Sequence, residues 1–81
     1  MKIELKLYAN LRKYYPREDS KDAEKDQIKL ESEATLKDLM DKIDLPEEEA
    51  KMIFVNNRKQ SKEYKLKDGD TVAIFPPIAG G

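Results

Sequence analysis

The sequence predicts an α+β fold in which one mixed β-sheet carries one main helix on one face. The first observation is an alternation of apolar and charged residues near the start of the chain, which is typical of a half-buried strand. The second is an apolar stripe at intervals of three and four residues in the middle of the chain, which is typical of an amphipathic helix. With 81 residues, the chain is long enough for a single domain with one modest core.

The first strand is predicted over residues 2–8, and its core-facing side chains are Ile3, Leu5 and Leu7. Tyr8 falls on the solvent-facing phase of this strand, or at its end. The alternation resumes over residues 27–31, where a second strand is predicted through Ile28 and Leu30.

The segment between these two strands is predicted to lack a sheet partner. Leu11, Tyr14 and Tyr15 predict a short helical turn, which Pro16 then breaks. Residues 16–26 are almost wholly polar, so we expect them to form an exposed loop.

The main helix has a start signal and a buried stripe. Thr35 and Asp38 have the spacing of a capping box, in which each side chain bonds the other residue's backbone N–H. The apolar stripe that follows consists of Leu36, Leu39, Met40 and Ile43. We interpret this stripe as core rather than as a binding groove.

Leu45 and Pro46 are predicted to end the main helix. Pro46 at a first helical position, followed by three glutamates at residues 47–49, predicts a short second helix. Three adjacent glutamates could also suggest a metal site. Consecutive residues do not share a helix face, however, so we favour a solvated helix start and no metal.

The second half of the chain predicts a hairpin and a final strand. Residues 52–55 form an apolar strand whose inward face cannot be read from periodicity, because all four residues are apolar. Asn56 and Asn57 predict a tight turn into residues 58–60, since asparagine tolerates positive φ. Leu66 is predicted to anchor the next segment in the core.

The final strand is predicted over residues 71–75, after a turn at which Gly69 adopts the left-handed conformation. If Val72 and Ile74 face the helix, then Ala73 and Phe75 face the other way.

Composition excludes several classes of function. The 16 Lys and Arg nearly balance the 17 Asp and Glu, giving a net charge of −1, which argues against a nucleic-acid-binding surface. Cys and His are absent, which removes disulfides, thiolate nucleophiles, imidazole bases and the usual zinc ligands. No apolar run is long enough to span a membrane, so a cytoplasmic protein is expected.

The last residues predict a conformationally restricted segment that leads to a terminus with almost no side chains. Pro76 and Pro77 favour an extended path, and Ala79, Gly80 and Gly81 carry almost no side chain. Such a segment can enter a channel too narrow for larger side chains, and a terminal carboxylate is ionised at neutral pH. We therefore divide the chain into a domain over residues 1–75 and a flexible tail over residues 76–81.

Residues 66–81, with their Phe-Pro-Pro and Gly-Gly, resemble the C-terminal signature of the MoaD family, the small sulfur carrier subunits of molybdopterin synthase. Residues 7–12 are similar to the opening strand and turn of that family. The resemblance implies the ubiquitin-like β-grasp fold, which agrees with the α+β prediction.

The resemblance also implies the chemistry. An E1-like, MoeB-like adenylating enzyme would use ATP to activate Gly81, and a sulfur donor would convert the terminus to a thiocarboxylate. The tail would then enter the MoaE-like large subunit, in a heterotetramer, where its sulfur attacks a pterin precursor. The chain would bind no cofactor, and the catalytic side chains would lie on its partners.

The family positions carry over to particular residues. Gly81 would carry the sulfur, and the inserted segment would comprise Pro76, Pro77, Ile78, Ala79 and Gly80. Tyr8 and Phe75 match positions near the partner-facing side of the sheet, with ordinary packing as the alternative. Lys59 is a departure, because it puts a charge where family members often have an apolar residue.

Three alternatives share the same sequence features. A ubiquitin-like modifier would use the same tail and the same activation to join Gly81 to a target lysine. A plain binding module would use its sheet face and never react at Gly81. ThiS-like carriers of thiamine synthesis share the Gly-Gly end but generally lack the Phe-Pro-Pro before it.

Overall fold

The protein is built on a five-stranded sheet, seen in a computed structural model that describes residues 1–14 and 27–77. In chain order the strands are β1 (Lys2–Leu7), β2 (Gln27–Lys29), β3 (Met52–Val55), β4 (Arg58–Lys59) and β5 (Thr71–Phe75). One α-helix, α1 (Leu36–Lys42), lies between β2 and β3 in the chain. Two short 3₁₀ helices, at Ala9–Tyr14 and Glu47–Glu49, complete the described elements.

The sheet is mixed, and the last strand lies at its centre. The strand order is β2-β1-β5-β3-β4. β5 pairs in parallel with β1 and antiparallel with β3, whereas β2 and β4 pair antiparallel at the two edges. The predicted α+β class, with one mixed sheet and one main helix, is therefore confirmed.

The core lies between α1 and one face of the sheet. Every strand that was predicted to alternate does so, and the central positions Leu5, Val72 and Ile74 have no exposed surface. The helix contributes Leu36, Leu39 and Met40 from the predicted stripe, and the three are at most 1% exposed. Ile43, the last residue of that stripe, is buried as the residue that caps the helix.

The start of α1 has the predicted capping box. The Asp38 backbone N–H donates to Thr35 Oγ1 at 3.2 Å, and the Thr35 N–H donates to Asp38 Oδ2 at 2.9 Å. These bonds satisfy two backbone donors that a helix start otherwise leaves unpaired. The sequence therefore determines where this helix begins.

Three predicted helical segments differ in detail from the structure. The main helix ends at Lys42, with Ile43 as its C-cap residue, before the predicted end at Leu45 and Pro46. The segment after Pro46 is a 3₁₀ helix, and Pro46 is its N-cap residue with an extended ψ of 142° rather than its first helical residue. The turn after β1 begins earlier than predicted, since Ala9 takes a φ of 54° directly after Tyr8 and the 3₁₀ helix runs to Tyr14. Tyr15 and the predicted loop at residues 16–26 lie outside the described residues.

Two turns hold the start of β5 in place. Asn56 and Asn57 have φ of 53° and 71°, as a tight hairpin turn requires, and Gly69 has a φ of 89°. Asp70, which is 6% exposed, accepts hydrogen bonds from the Lys67 backbone N–H at 2.8 Å and from Asn56 Nδ2 at 2.9 Å. The Asn56 side chain in turn accepts from the Thr71 N–H at 3.0 Å, so the β3–β4 turn and the start of β5 are joined.

The first prediction concerns the core under α1. Leu39 has no exposed surface, so Leu39→Ala is expected to lower the free energy of unfolding by about 2–5 kcal/mol, through lost burial and an unfilled cavity. Urea denaturation followed by circular dichroism measures this loss. Lys42→Ala, on the exposed side of the same helix, is the control and should change it by less than about 0.5 kcal/mol. An unchanged midpoint for Leu39→Ala would contradict the packing described.

Candidate functional site

The face of the sheet opposite α1 carries an aromatic patch, which we define as Tyr8, Phe54 and Phe75. Phe75 faces this way because its neighbour Ile74 is buried in the core. The ladder places Ala73 beside Phe54, and Phe75 beside Met52. We call this side of the sheet the open face.

The rings of the patch contact one another. Tyr8 stacks on Phe75, with ring centroids 4.4 Å apart and planes 10° apart. Phe54 meets Phe75 edge-on, with centroids 5.9 Å apart. Phe75 and Phe54 are half-buried, whereas Tyr8 and Met52 remain 40% and 37% exposed. The structure thus brings together the two predicted partner-facing residues, Tyr8 and Phe75, while their proposed role in binding stays a prediction.

The chain leaves the sheet beside this patch. The Phe75 carbonyl accepts from the Lys51 N–H at 2.9 Å, and the Ile74 carbonyl accepts from the Tyr8 N–H at 3.3 Å, so both edges of β5 are held to its end. Pro76, half-buried, and Pro77, exposed, then follow and have no N–H with which to extend the ladder. The strand therefore ends at Phe75 as predicted.

The remaining predicted tail residues are Ile78, Ala79, Gly80 and Gly81, and they lie outside the described residues. The expected flexibility of residues 76–81, the boundary with a domain over residues 1–75, and the roles of Gly80 and Gly81 stay predictions. The structure locates the point from which this segment starts, at the C-terminal end of the central strand.

The two 3₁₀ helices are joined by one hydrogen bond. The Tyr14 hydroxyl donates to Glu49 Oε1 at 3.3 Å. Partial burial, and then the neighbouring Glu49 carboxylate, raise the pKa of Tyr14 above its usual value. The Lys13 ammonium lies 5.4 Å from the centre of the Tyr14 ring. The bond between Tyr14 and Glu49 connects the segments that flank the C-terminal ends of β1 and β5.

Two of the glutamates at residues 47–49 are engaged, Glu47 with lysines and Glu49 with Tyr14. Glu47 accepts from Lys62 Nζ at 2.7 Å and pairs with Lys37 Nζ at 3.1 Å. The hydrogen bonds from Lys62 and Lys37 lower the pKa of Glu47, and the bonds to Glu47 raise the pKa of both lysines. Over residues 1–14 and 27–77, no group of three acidic, His or Cys side chains is arranged to hold a metal ion.

Two members of the open face were not predicted from sequence. Phe54 and Met52 lie in the uniformly apolar strand β3, for which periodicity gave no face. The signal that identifies them is the sheet register, because residues paired with the outward-facing Ala73 and Phe75 also face outward. Lys59, the predicted departure from the family pattern, lies directly beside Phe54 in the ladder.

Comparison with known proteins identifies the family. The sequence pattern of the ThiS family matches residues 5–81, nearly the whole chain and including the tail. The chain belongs to the ThiS family. This ThiS family member therefore groups with small ubiquitin-fold proteins that serve as sulfur carriers or modifiers, and the predicted relationship to the MoaD and ThiS proteins is confirmed.

Solved structures confirm the β-grasp fold. SAMP1 from Haloferax volcanii is similar over 100% of both chains, with a TM-score of 0.69 and 21% identity. A candidate molybdopterin converting factor, subunit 1, from Pyrococcus furiosus is similar over 95% of this chain and 98% of its own, with a TM-score of 0.65 and 28% identity. Small archaeal modifier protein 1 from H. volcanii gives a TM-score of 0.67 at 19% identity, over 95% and 98% of the two chains.

No curated protein matches the chain in sequence. Within residues 1–14 and 27–77, no helix has the length and apolarity needed to cross a membrane.

The stacking of Tyr8 on Phe75 can be measured in the free protein. In a double-mutant cycle, Tyr8→Ala and Phe75→Ala are expected to couple by about 0.5–1.5 kcal/mol, because each substitution removes the ring that the other one contacts. The free energies of unfolding of the wild type, both single variants and the double variant supply the cycle. A control cycle pairs Tyr8→Ala with Tyr64→Ala, since Tyr64 packs against the core elsewhere. Strictly additive losses at Tyr8 and Phe75 would contradict the stacked arrangement.

Proposed function

We propose that the protein is the small, sulfur-carrying subunit of a molybdopterin synthase. The observation that carries this proposal is the start of the tail. The segment Phe75-Pro76-Pro77 leaves the central strand directly beside the partly exposed aromatic patch, and the family match continues to Gly81. The likeness to the P. furiosus candidate converting factor, at 28% identity, supports this choice of pathway.

The proposed chemistry occurs at the Gly81 carboxylate. A carboxylate is a poor electrophile, so a sulfur nucleophile does not displace its oxygen directly. Transfer of AMP from ATP, catalysed by an adenylating partner, releases pyrophosphate and gives an acyl-adenylate with AMP as its leaving group. Attack by hydrosulfide or an equivalent donor at the carbonyl carbon then expels AMP and leaves a thiocarboxylate.

The side chains of this protein suit a carrier rather than a catalyst. The sequence has no Cys to hold sulfur and no His to move protons, so catalytic side chains are assigned to the partners. Gly80 and Gly81 would allow the terminus to pass through a narrow channel to the reacting atoms. Pro76 and Pro77 would restrict the tail before binding and so lower the entropy lost when it inserts.

Docking is assigned to the open face. The aromatic patch lies next to the tail, so a partner that covers Tyr8 and Phe75 also receives the residues after Pro77. In this proposal one surface serves both the adenylating enzyme and the large synthase subunit in turn, since each must draw in the same tail.

A protein modifier and a ThiS-like carrier would use the same activation of Gly81. They differ in the molecule that accepts the activated group. A protein modifier would transfer Gly81 to lysines, and its products would be lysines carrying a Gly-Gly remnant. A ThiS-like carrier would deliver sulfur to thiamine synthesis. The Phe-Pro-Pro segment favours the molybdopterin pathway over a ThiS-like carrier, and the likeness to the 28% identical P. furiosus structure supports that pathway as the first choice.

The chemical prediction is tested by intact mass spectrometry. With ATP, the adenylating enzyme and a sulfur source, the mass of the chain should rise by about 16 Da, since one carboxylate oxygen is exchanged for sulfur. Fragmentation should map the increase to Gly81. Deletion of Gly81 should abolish it, and Gly80→Val should react poorly because a β-branched residue crowds and stiffens the approach.

Both tail variants are expected to remain folded, because neither residue belongs to the described core. Unchanged circular dichroism and denaturation midpoints are the control. The proposal fails if the Gly81 deletion still acquires sulfur, or if the added mass maps to an internal residue.

The docking prediction concerns Phe75. Phe75→Ala should weaken binding to both the adenylating enzyme and the large subunit by at least about 2 kcal/mol, roughly a thirtyfold rise in Kd, because a buried aromatic anchor is lost. Isothermal titration calorimetry measures the two affinities. The variant should stay folded, since Phe75 is only half-buried in the free protein. Affinities equal to those of the wild type would place the interface elsewhere.

A further inference from the structure

Charge is distributed unevenly between the two sides of the sheet. Along the described strands, the open face carries four lysines and one acidic residue; these are Lys2, Lys6, Lys29, Lys59 and Glu4. The whole chain nevertheless has a net charge of −1. The open face is therefore a local basic surface on a slightly acidic protein.

Two of these lysines flank the aromatic patch. The register places Lys6 beside Ala73, Ala73 beside Phe54, and Phe54 beside Lys59. This single row across four strands reads Lys-Ala-Phe-Lys. Neighbouring strands are about 4.8 Å apart, so the two lysine Cα atoms are roughly 14 Å apart with an apolar centre between them.

Neither lysine belongs to the salt bridges of the described residues. The salt bridges of residues 1–14 and 27–77 join Lys37, Lys62 and Lys65 to acidic residues in α1, in the second 3₁₀ helix and in loops. Within the same residues, no ion pair involves Lys6 or Lys59, and both are exposed. Their ammonium groups are therefore available to a partner.

We propose that the open face binds a partner surface with an apolar centre flanked by carboxylates on both sides, and that Lys6 and Lys59 contact those carboxylates. The apolar centre of the partner surface would cover Ala73, which has the smallest side chain of the row. It would also cover the rings of Phe54 and Phe75 beside Ala73. The identity of the partners rests on the proposed function, whereas their surface chemistry follows from this row.

An acidic protein surface fits these residues better than a nucleic acid does. Bases bind to sheets by stacking on exposed rings, and here Tyr8 and Phe75 already stack on each other. Carboxylates that contact Lys6 and Lys59 leave this stacked pair in place.

Binding of purified adenylating enzyme and purified large synthase subunit from the source organism tests the proposal. Lys6→Glu and Lys59→Glu should each raise Kd by at least about tenfold, because the new glutamate would repel the partner carboxylate that the lysine contacts. The association rate of the wild type should fall as salt increases, and this dependence should be smaller for both variants. Lys42→Glu is the matched control, because it makes the same charge change on α1, and it should bind as the wild type does.

Lys59→Leu separates the proposal from docking by apolar contact alone. Leucine beside Phe54 adds apolar area, so a purely apolar interface would bind this variant more tightly. Loss of the cation should instead weaken binding by about fivefold, and Lys59→Arg should restore it. Carbodiimide coupling gives an independent readout, since it should link Lys6 and Lys59, but not Lys42, to acidic residues of the partner.

Three results would overturn the proposal. The first is binding of the Lys6→Glu and Lys59→Glu variants at the level of Lys42→Glu. The second is tighter binding of Lys59→Leu. The third is salt-sensitive binding of a labelled single-stranded oligonucleotide that both Glu variants abolish, which would make this a nucleic-acid surface.

The mass readout distinguishes the two proposals. If the wild type acquires sulfur at Gly81 but the Glu variants bind normally, the charge proposal fails and the sulfur-carrier function stands. If the variants lose binding but the wild type acquires no sulfur, the docking surface stands and the sulfur-carrier function fails. If the wild type binds neither the adenylating enzyme nor the large synthase subunit, the charge proposal and the proposed function both fail.

Discussion

The pairing of β5 on both of its edges is the constraint on which the rest of the structure depends. Because this strand lies between β1 and β3, its alternation is strictly imposed: Val72 and Ile74 enter the core, and Ala73 and Phe75 face outward. The same pairing aligns the outward residues of the neighbouring strands into rows. It also determines where the chain leaves the sheet, at Phe75 and beside Tyr8.

Both ends of this central strand are secured by contacts distant in sequence. At its start, the buried Asp70 and the exposed Asn56 form a hydrogen-bond network, and the Glu4 N–H donates to the Asp70 carbonyl at 2.8 Å. At its end, the Lys51 N–H holds the Phe75 carbonyl. A one-residue slip would turn Phe75 into the core and expose Ile74. These contacts therefore protect the position of the aromatic patch relative to the tail.

The two sides of the domain have different roles. The helix side supplies the core and uses its surface charges in mutual salt bridges, such as the pairing of Glu47 with Lys37 and Lys62. The open face keeps a partly exposed aromatic patch and lysines that make no ion pair with the described residues. This separation suits a protein whose proposed work is to be held by one partner after another while its end reacts.

Local signals allowed much of the fold to be predicted. The capping box at Thr35 and Asp38, the stripe through Leu39 and the turn at Asn56 are each specified by residues a few positions apart, and all three are confirmed. The features that escaped prediction depend on distant partners. The outward face of β3 required the register with β5, and the environment of Glu47 required Lys62 from a later loop. Of the candidate site, the structure places Tyr8 and Phe75 in contact, while their role in docking and the chemistry of Gly81 stay predictions.

The fate of the sulfur after loading distinguishes a synthase subunit from a modifier. Chain carrying a Gly81 thiocarboxylate can be mixed with the large subunit and a pterin precursor, and its intact mass followed with time. For a carrier, sulfur remains on the pterin and hydrolysis returns the terminal carboxylate, so the mass should fall by about 16 Da as a sulfur-containing pterin appears. Chain that keeps its sulfur in the presence of the precursor, or that becomes joined through Gly81 to lysines of other proteins, would contradict the proposed function.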